Sequence, residues 1–422
     1  MRPGLMALEE ALAQLLSRVE ALVLDPQAVP TLAAQGRVLA ADILAGLNVP
    51  GHDNSSMDGY AVRVADVLAL ADGVPMRVSQ RIAAGHAGAA LEPGTAARIF
   101  TGAPVPQGAD AVVMQEDVQA GTDAAGLTHI TFKTAPAVGQ WIRRRGEDVT
   151  LGNTVLRAGD RLGPAELGLA ASLGCADLWV HRRVKVALFS TGDELVMPGA
   201  LPPEQMPPGA IYNSNRYFLK ALLERLGCEV SDLGIVPDQR SATLAALENA
   251  AQTHDLILTS GGVSVGEEDH IKPAVQQLGA LDLWQIGMKP GKPFAYGWVG
   301  NGVGGRCHFV GLPGNPVSSY VTFLLLVVPM LRRLQGMRNQ LDWAAMGQTA
   351  VAHFDWLKGD KRREFLRVRR NARGGLDLFP NQSSGVLTSM VWADGLLDNP
   401  PGQSIAVGDV VRYLPFSALL DD

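Results

Sequence analysis

Apolar and polar positions follow different periods in successive regions of the chain. Between residues 5 and 23, Leu8, Leu12, Leu15, Val19 and Leu22 recur at three- and four-residue steps, the stripe of an amphipathic helix. From about residue 49 to 150 the texture changes to short runs rich in Val, Ile, Thr and Phe, broken by Gly, Pro and Asp, as in compact β-structure. A helical pattern returns over 164–173, where Pro164 suits a first helical turn and Gly174 follows the end. The β-rich stretch is therefore predicted to be an insertion between two helical parts.

After His181 the pattern alternates. Residues 184–189, 229–235, 255–259 and 307–310 read as strands, and 215–226, 241–253 and 316–334 as helices. Such alternation predicts right-handed βαβ units and a doubly wound parallel sheet, with ligands beyond the carboxyl ends of its strands. From about 340 to 422, short β-like runs alternate with turns at Lys358-Gly359 and Gly374-Gly375, predicting a small β-barrel. The expected fold is α/β multidomain. It has a helical linker region (1–48 and 151–182), a β-rich inserted domain (49–150), a doubly wound α/β domain (183–336) expected to bind the ligand and a C-terminal β-barrel domain (340–422).

Composition narrows the function classes. A chain of 422 residues carries a formal charge of −6, which argues against nucleic acid or an anionic membrane as the main partner. Any anion must be gripped locally. The longest apolar stretch, residues 321–331, is shorter than the ~18 residues of a membrane helix. The N-terminus carries Glu9 and Glu10 in place of a secretory pattern, so a soluble cytoplasmic protein is expected. Cys175, Cys228 and Cys307 are odd in number and far apart, indicating neither a disulfide framework nor a thiolate metal site.

Six stretches could carry chemistry. Asp53-Asn-Ser-Ser-Met-Asp58-Gly-Tyr60 reads either as a hairpin turn or as a carboxylate crowded by hydrogen-bonding side chains. Thr101-Gly-Ala-Pro-Val-Pro106 is a stiffened loop, structural or ligand-facing. Ser190-Thr-Gly-Asp-Glu194 and Ser260-Gly-Gly-Val-Ser264-Val-Gly-Glu-Glu-Asp269 each follow a predicted strand, where backbone amides can cradle an anion and carboxylates can hold Mg²⁺ against it. A plain strand-to-helix turn is the alternative. Met288-Lys-Pro-Gly-Lys-Pro293 presents two lysines on a stiff backbone, suited to a small oxyanion. In Gly311-Leu-Pro-Gly-Asn-Pro316, Asn315 is a candidate N-cap. Gly262-Val-Ser264-Val-Gly266 also matches a hydrolase elbow, with Asp282 and His308 available to complete a Ser, Asp, His order. Three acidic residues just after Ser264 oppose the oxyanion that a serine esterase must stabilise. No P-loop, dinucleotide fingerprint or HExxH is present.

Together and in order, these stretches, with Arg98-Ile-Phe-Thr101, Arg145-Gly-Glu-Asp148 and Arg362-Arg-Glu-Phe365, resemble the molybdopterin molybdenumtransferase family, which includes the E domain of gephyrin. The resemblance spans nearly the whole chain. It implies a homodimer that transfers molybdate to adenylylated molybdopterin, with Mg²⁺-dependent release of AMP. It assigns Asp58, Thr101, Glu194 and Asp269 to catalysis, with Asp58, Glu194 and Asp269 near the metal. Asp148, Asp238 and Ser264 would contact the pterin nucleotide, while Lys289, Lys292, Pro293, Arg362 and Ser384 would form the molybdate pocket, Ser383 competing with Ser384. Asp58 of one subunit is expected to serve strand-end loops of the other. Implied partners are the molybdopterin adenylyltransferase and molybdoenzyme maturation proteins, in transient contact. Two further classes remain: a pterin-binding scaffold without turnover, as gephyrin also clusters partners, and the esterase at Ser264.

Overall fold

The computed structural model describes residues 5–22, 24–71, 73–262, 270–302, 304–339, 343 and 345–420, with only the backbone of Leu283. Two compact units result. One contains residues 42–157 and 164–176, the other the remaining parts of the chain.

In the smaller unit a six-stranded sheet runs in the order Ala111–Met114, Gly59–Val62, Thr95–Ile99, Met76–Ile82, Thr128–Phe132, Val118–Thr122. Its pairs are antiparallel except that between Met76–Ile82 and Thr95–Ile99. Alternate side chains feed two cores, one around Tyr60, Val62 and Val113, the other around Ala61, Ile99 and Val112. In Gly59–Val62, Thr95–Ile99 and Ala111–Met114 that two-sided burial explains the lack of clean alternation of apolar and polar residues. The helix Pro164–Ser172 belongs to this unit, and Leu169, Leu173 and Cys175 pack with Ala45 and Val149.

The larger unit is built on a mixed sheet ordered Glu229–Ile235, Lys185–Ser190, Leu256–Ser260, Arg306–Leu312, Pro293–Gly300, Gly279–Gln285. The first four strands are parallel, as the alternation predicts, and the two inner ones, Lys185–Ser190 and Leu256–Ser260, are buried on both faces. The last two are antiparallel, which corrects the expectation of a wholly parallel sheet. The short connection through Pro290 and Gly291 cannot make a parallel crossover, which needs a dozen or more residues. Among the described residues one helix, Pro316–Leu334, is long and apolar enough to cross a membrane, but 89% of its apolar window is buried inside the protein. It is the core helix, packed with Leu8, Leu15, Leu223 and Leu312.

The N-terminal stretch is less helical than its pattern suggests. Its helix covers Leu8–Arg18, and Pro26–Pro30 instead pairs antiparallel with Asp177–His181. At the C-terminus, Leu376–Leu378, Arg363–Arg370, Gly395–Asn399, Val410–Pro415 and Gln348–Val351 pair in that order. A bridge from Ala352 to Leu376 returns the path to its start and closes a small barrel. The two-residue strand Met288–Lys289 adds to its edge, parallel to Arg363–Arg370.

Candidate active site

In the larger unit a cavity of about 640 Å³ opens at the carboxyl ends of the parallel strands. Its wall includes Thr191 and Glu194 after Lys185–Ser190, Ser260 and Gly261 at the end of Leu256–Ser260, and Gly314 and Asn315 after Arg306–Leu312. One buried side chain ties these loops together: Asn215 Nδ2 donates to Ser260 Oγ and to the Gly314 carbonyl, each at 2.7 Å. Asn213, only 2% exposed, also lines the cavity, and its Nδ2 meets no protein acceptor. Asn315 sits at the start of the long helix, but its side chain makes no capping bond. The Val317 amide is taken instead by the Ser384 carbonyl at 3.0 Å, which holds the 382–385 loop against this helix end and leaves Gly385 in the cavity wall.

Glu194 and Pro293 line the same cavity. Glu194 is exposed and turns back towards Gly192, whose φ of +139° disfavours any side chain, and a Cβ there would lie 2.5 Å from Glu194 Oε2 and make the Glu194 carboxylate shift. Asp238 lies half-buried just beyond Glu229–Ile235. Lys292 is exposed, held by its carbonyl, which accepts the Ile286 amide at 2.8 Å.

Lys289 has a different setting. Register pairing sets it opposite Glu364, and its Nζ lies 3.2 Å from Glu364 Oε1 and 3.3 Å from Asp360 Oδ2. Arg362 grips the same Asp360 through Nε and Nη2, both at 3.0 Å, and through its own amide. These hydrogen bonds, those of Arg362 before that of Lys289, hold the Asp360 carboxyl well below the usual carboxylate range, and Asp360 in turn raises Arg362. Neither Asp360 nor Glu364 was foreseen as a site residue. The only local signal was the Arg362-Arg-Glu-Phe365 motif itself.

In the smaller unit Asp58 Oδ1 accepts the Thr101 amide (2.8 Å) and the Thr101 hydroxyl (2.9 Å). Those two bonds, the amide first, lower its carboxyl from the usual range against a small opposing effect of burial, and Arg98 adds to them. Gly59 does not serve a hairpin turn. It begins a strand so close to its neighbour that a Cβ would come within 1.9 Å of the Val113 oxygen. Asp53 joins this loop to the Arg145-to-Asp148 motif, accepting Arg144 Nη1 at 2.7 Å and the Arg145 amide at 2.8 Å. The exposed Asp148 is fixed by its amide on the Val49 carbonyl.

Ser264 and Asp269 lie outside the described residues. The esterase order is not assembled from its other members: Asp282 pairs with Arg18, and His308 Nδ1 meets Tyr296 OH at 3.0 Å. Among the described residues no group of three His, Cys, Asp or Glu could hold a metal. The cavity nevertheless suits Mg²⁺, a hard cation that keeps several waters and needs only one or two carboxylates beside substrate phosphates. Glu194 supplies such a carboxylate among amide and hydroxyl groups, and among the described residues of the wall there is no thiolate or imidazole.

Known proteins share this organisation. Residues 6–174 match the MoeA N-terminal region (domains I and II), 187–333 a probable molybdopterin binding domain, and 349–416 the MoeA C-terminal region (domain IV). The molybdopterin molybdenumtransferase of Haemophilus influenzae is 40% identical over 395 residues, 92% of this chain and 93% of the relative. Molybdopterin molybdenumtransferase 2 of Mycobacterium tuberculosis is 37% identical over 89% of this chain and 91% of its own. The gephyrin of Dictyostelium discoideum is 31% identical over 78% of this chain, which spans 49% of gephyrin. The solved molybdopterin biosynthesis MoeA protein of Pyrococcus horikoshii aligns with a TM-score of 0.80 at 28% identity, covering 97% of this chain and 99% of that one. With matched regions along most of its length and relatives of this identity and coverage, the chain belongs to the MoeA family of molybdopterin molybdenumtransferases, transferases of molybdenum cofactor biosynthesis.

Proposed function

We propose that the chain inserts molybdenum from molybdate into adenylylated molybdopterin and releases AMP in a Mg²⁺-dependent reaction. The observation that carries this reading is the placement of Glu194 and Pro293 in one strand-end cavity, with the loop that ends at Pro293 starting from Lys289 on the Asp360–Arg362 cluster. A pyrophosphate needs amide donors and a metal-holding carboxylate, and the cavity offers both. Mg²⁺, when bound, offsets phosphate charge and polarises the anhydride oxygen. The chain's own residues orient the two substrates: Asn215 fixes the spacing of the strand-end loops, Glu194 faces the phosphates, and Lys289, Lys292 and Arg362 meet the oxyanion. Asp58, a carboxylate that accepts two hydrogen bonds from Thr101, acts as an acceptor that positions a reacting group rather than as a proton donor. Asp148, Asp238, Ser264, Ser384 and Asp269 keep the roles that the family resemblance gives them.

A homodimer in the cytoplasm, in transient contact with the adenylyltransferase and with maturation proteins, is part of the same reading. The test is a defined assay with adenylylated molybdopterin, Mg²⁺ and molybdate or tungstate, following AMP and cofactor. Turnover is expected, falling by about 100-fold in Asp58→Asn. Full AMP release by that variant would remove Asp58 from the reaction. Tight pterin binding without AMP release under any condition would favour the scaffold instead.

A further inference from the structure

Four charged side chains meet where Met288–Lys289 runs in register with Arg363 and Glu364. Asp360 Oδ2 lies between two cations, 3.3 Å from Lys289 Nζ and 3.0 Å from Arg362 Nη2. With Glu364 on the other side of Lys289, the formal charges of the cluster cancel. A dianion arriving at Lys289 and Arg362 thus finds both cations already neutralised.

The two carboxylates are not equivalent. Glu364 is 1% exposed and accepts Trp356 Nε1 at 2.8 Å, the Asp360 amide at 3.1 Å and Asn399 Nδ2 at 3.3 Å, besides Lys289. Moving it would strand buried donors, so it stays. Asp360 keeps its side chain 20% exposed and is held by the two cations and by the Arg362 amide, and its bonds to the cations are ones that another anion can replace. Its backbone is pinned separately, the carbonyl accepting the Gly402 amide at 2.7 Å. The side chain can therefore turn away while the loop remains.

We propose that Asp360 is the resident counter-ion of the oxyanion pocket: its carboxylate occupies the place between Lys289 and Arg362 that an incoming tetrahedral oxyanion takes, and its displacement sets the affinity for that oxyanion. Glu364 is the fixed positioning residue that keeps the Lys289 ammonium in place throughout. The inference rests on reading Lys289 and Arg362 as the oxyanion pocket. It explains how the Lys289 and Arg362 part of the pocket avoids unbalanced positive charge before substrate arrives. It also gives the two carboxylates effects of opposite sign.

Titration calorimetry of the full chain with molybdate alone tests this. Asp360→Asn keeps an oxygen acceptor for the Arg362 amide but loses the charge, and it is expected to bind molybdate about fivefold more tightly, the scale of one partly exposed ion pair. Glu364→Gln is expected to bind more weakly. Should the amide substitution unfold the loop, Asp360→Ser carries the same expectation. Lys289→Met separates the two levels of the argument. If molybdate binding survives Lys289→Met unchanged, the pocket assignment itself fails. If Lys289→Met abolishes binding while the Asp360 variants bind no more tightly than the unsubstituted chain, the pocket stands and the counter-ion role is overturned.

Discussion

Thr101 lowers the Asp58 carboxyl with two donors of unequal weight, the amide contributing more than the hydroxyl. Thr101→Val removes the hydroxyl and leaves the amide. The Asp58 carboxyl should then titrate at higher pH than in the unsubstituted chain, yet still below an unpaired aspartate, whose usual value is about 3.9. Carbon-detected NMR of the side-chain carboxyl reads this directly. No change would mean that the hydroxyl contributes nothing to the ionised form. The pairing was within reach of the sequence, since both residues lie in motifs singled out there. The partners of Lys289 were not. Two lysines on a stiff loop read as two available ammonium groups, whereas Glu364, 75 residues away, reaches Lys289 only because two short strands pair in register. Pairing between distant strands leaves no local trace in either segment.

Elements were legible where one period ran long enough. The parallel strands and the helices Asn215–Arg225 and Arg240–Thr253 lie within a residue or so of their expected bounds, because buried strands and amphipathic helices carry strong patterns. Pro316–Leu334 was legible as one helix, but not its interior. Phe323–Val327 forms a π-turn in which the Val328 amide donates to Phe323 rather than to residue 324. Pro329 accounts for it: a proline ring clashes with the carbonyl four residues back and offers that carbonyl no amide, and the wider turn relieves both. The strands Gly279–Gln285 and Pro293–Gly300 escaped notice because the prolines and glycine between them dominate the local reading. Leu325 is fully buried in the wide turn, within the core that joins the long helix to the sheet. Leu325→Ala is expected to destabilise the larger unit by about 2–5 kcal/mol. Urea unfolding followed by circular dichroism measures it, and a cost under about 0.5 kcal/mol would mean that the turn is not packed as described.

At the scale of the molecule, net charge of −6 argues against a nucleic-acid surface without describing the pocket, where Lys289 is balanced by Asp360 and Glu364. The same residue-level shifts add up to a pH dependence of stability. Asp53, Asp58 and Asp360 all have folded-state carboxyls below their usual range, so the stability they contribute is present above about pH 4 and is lost as pH falls through the folded values. At the other end, burial pushes the thiols of Cys228 and Cys307 from 9.0 up to about 12 and the Tyr296 phenol from 10.0 up to about 12. There the folded chain keeps protons that the unfolded chain releases, so stability falls as pH rises through that window. Thermal melting is therefore expected to be flat between about pH 5 and 8 and to decline on both sides. The alkaline limb has its own check in thiol chemistry. Cys175 is partly exposed while Cys228 and Cys307 are buried, so at neutral pH a disulfide reagent should reach Cys175 in the folded chain and all three only after unfolding. Rapid reaction of all three thiols in the folded chain would show that the two buried thiols are open to solvent, and melting that stays flat well above pH 9 would show that the buried thiols and phenol contribute no alkaline decline.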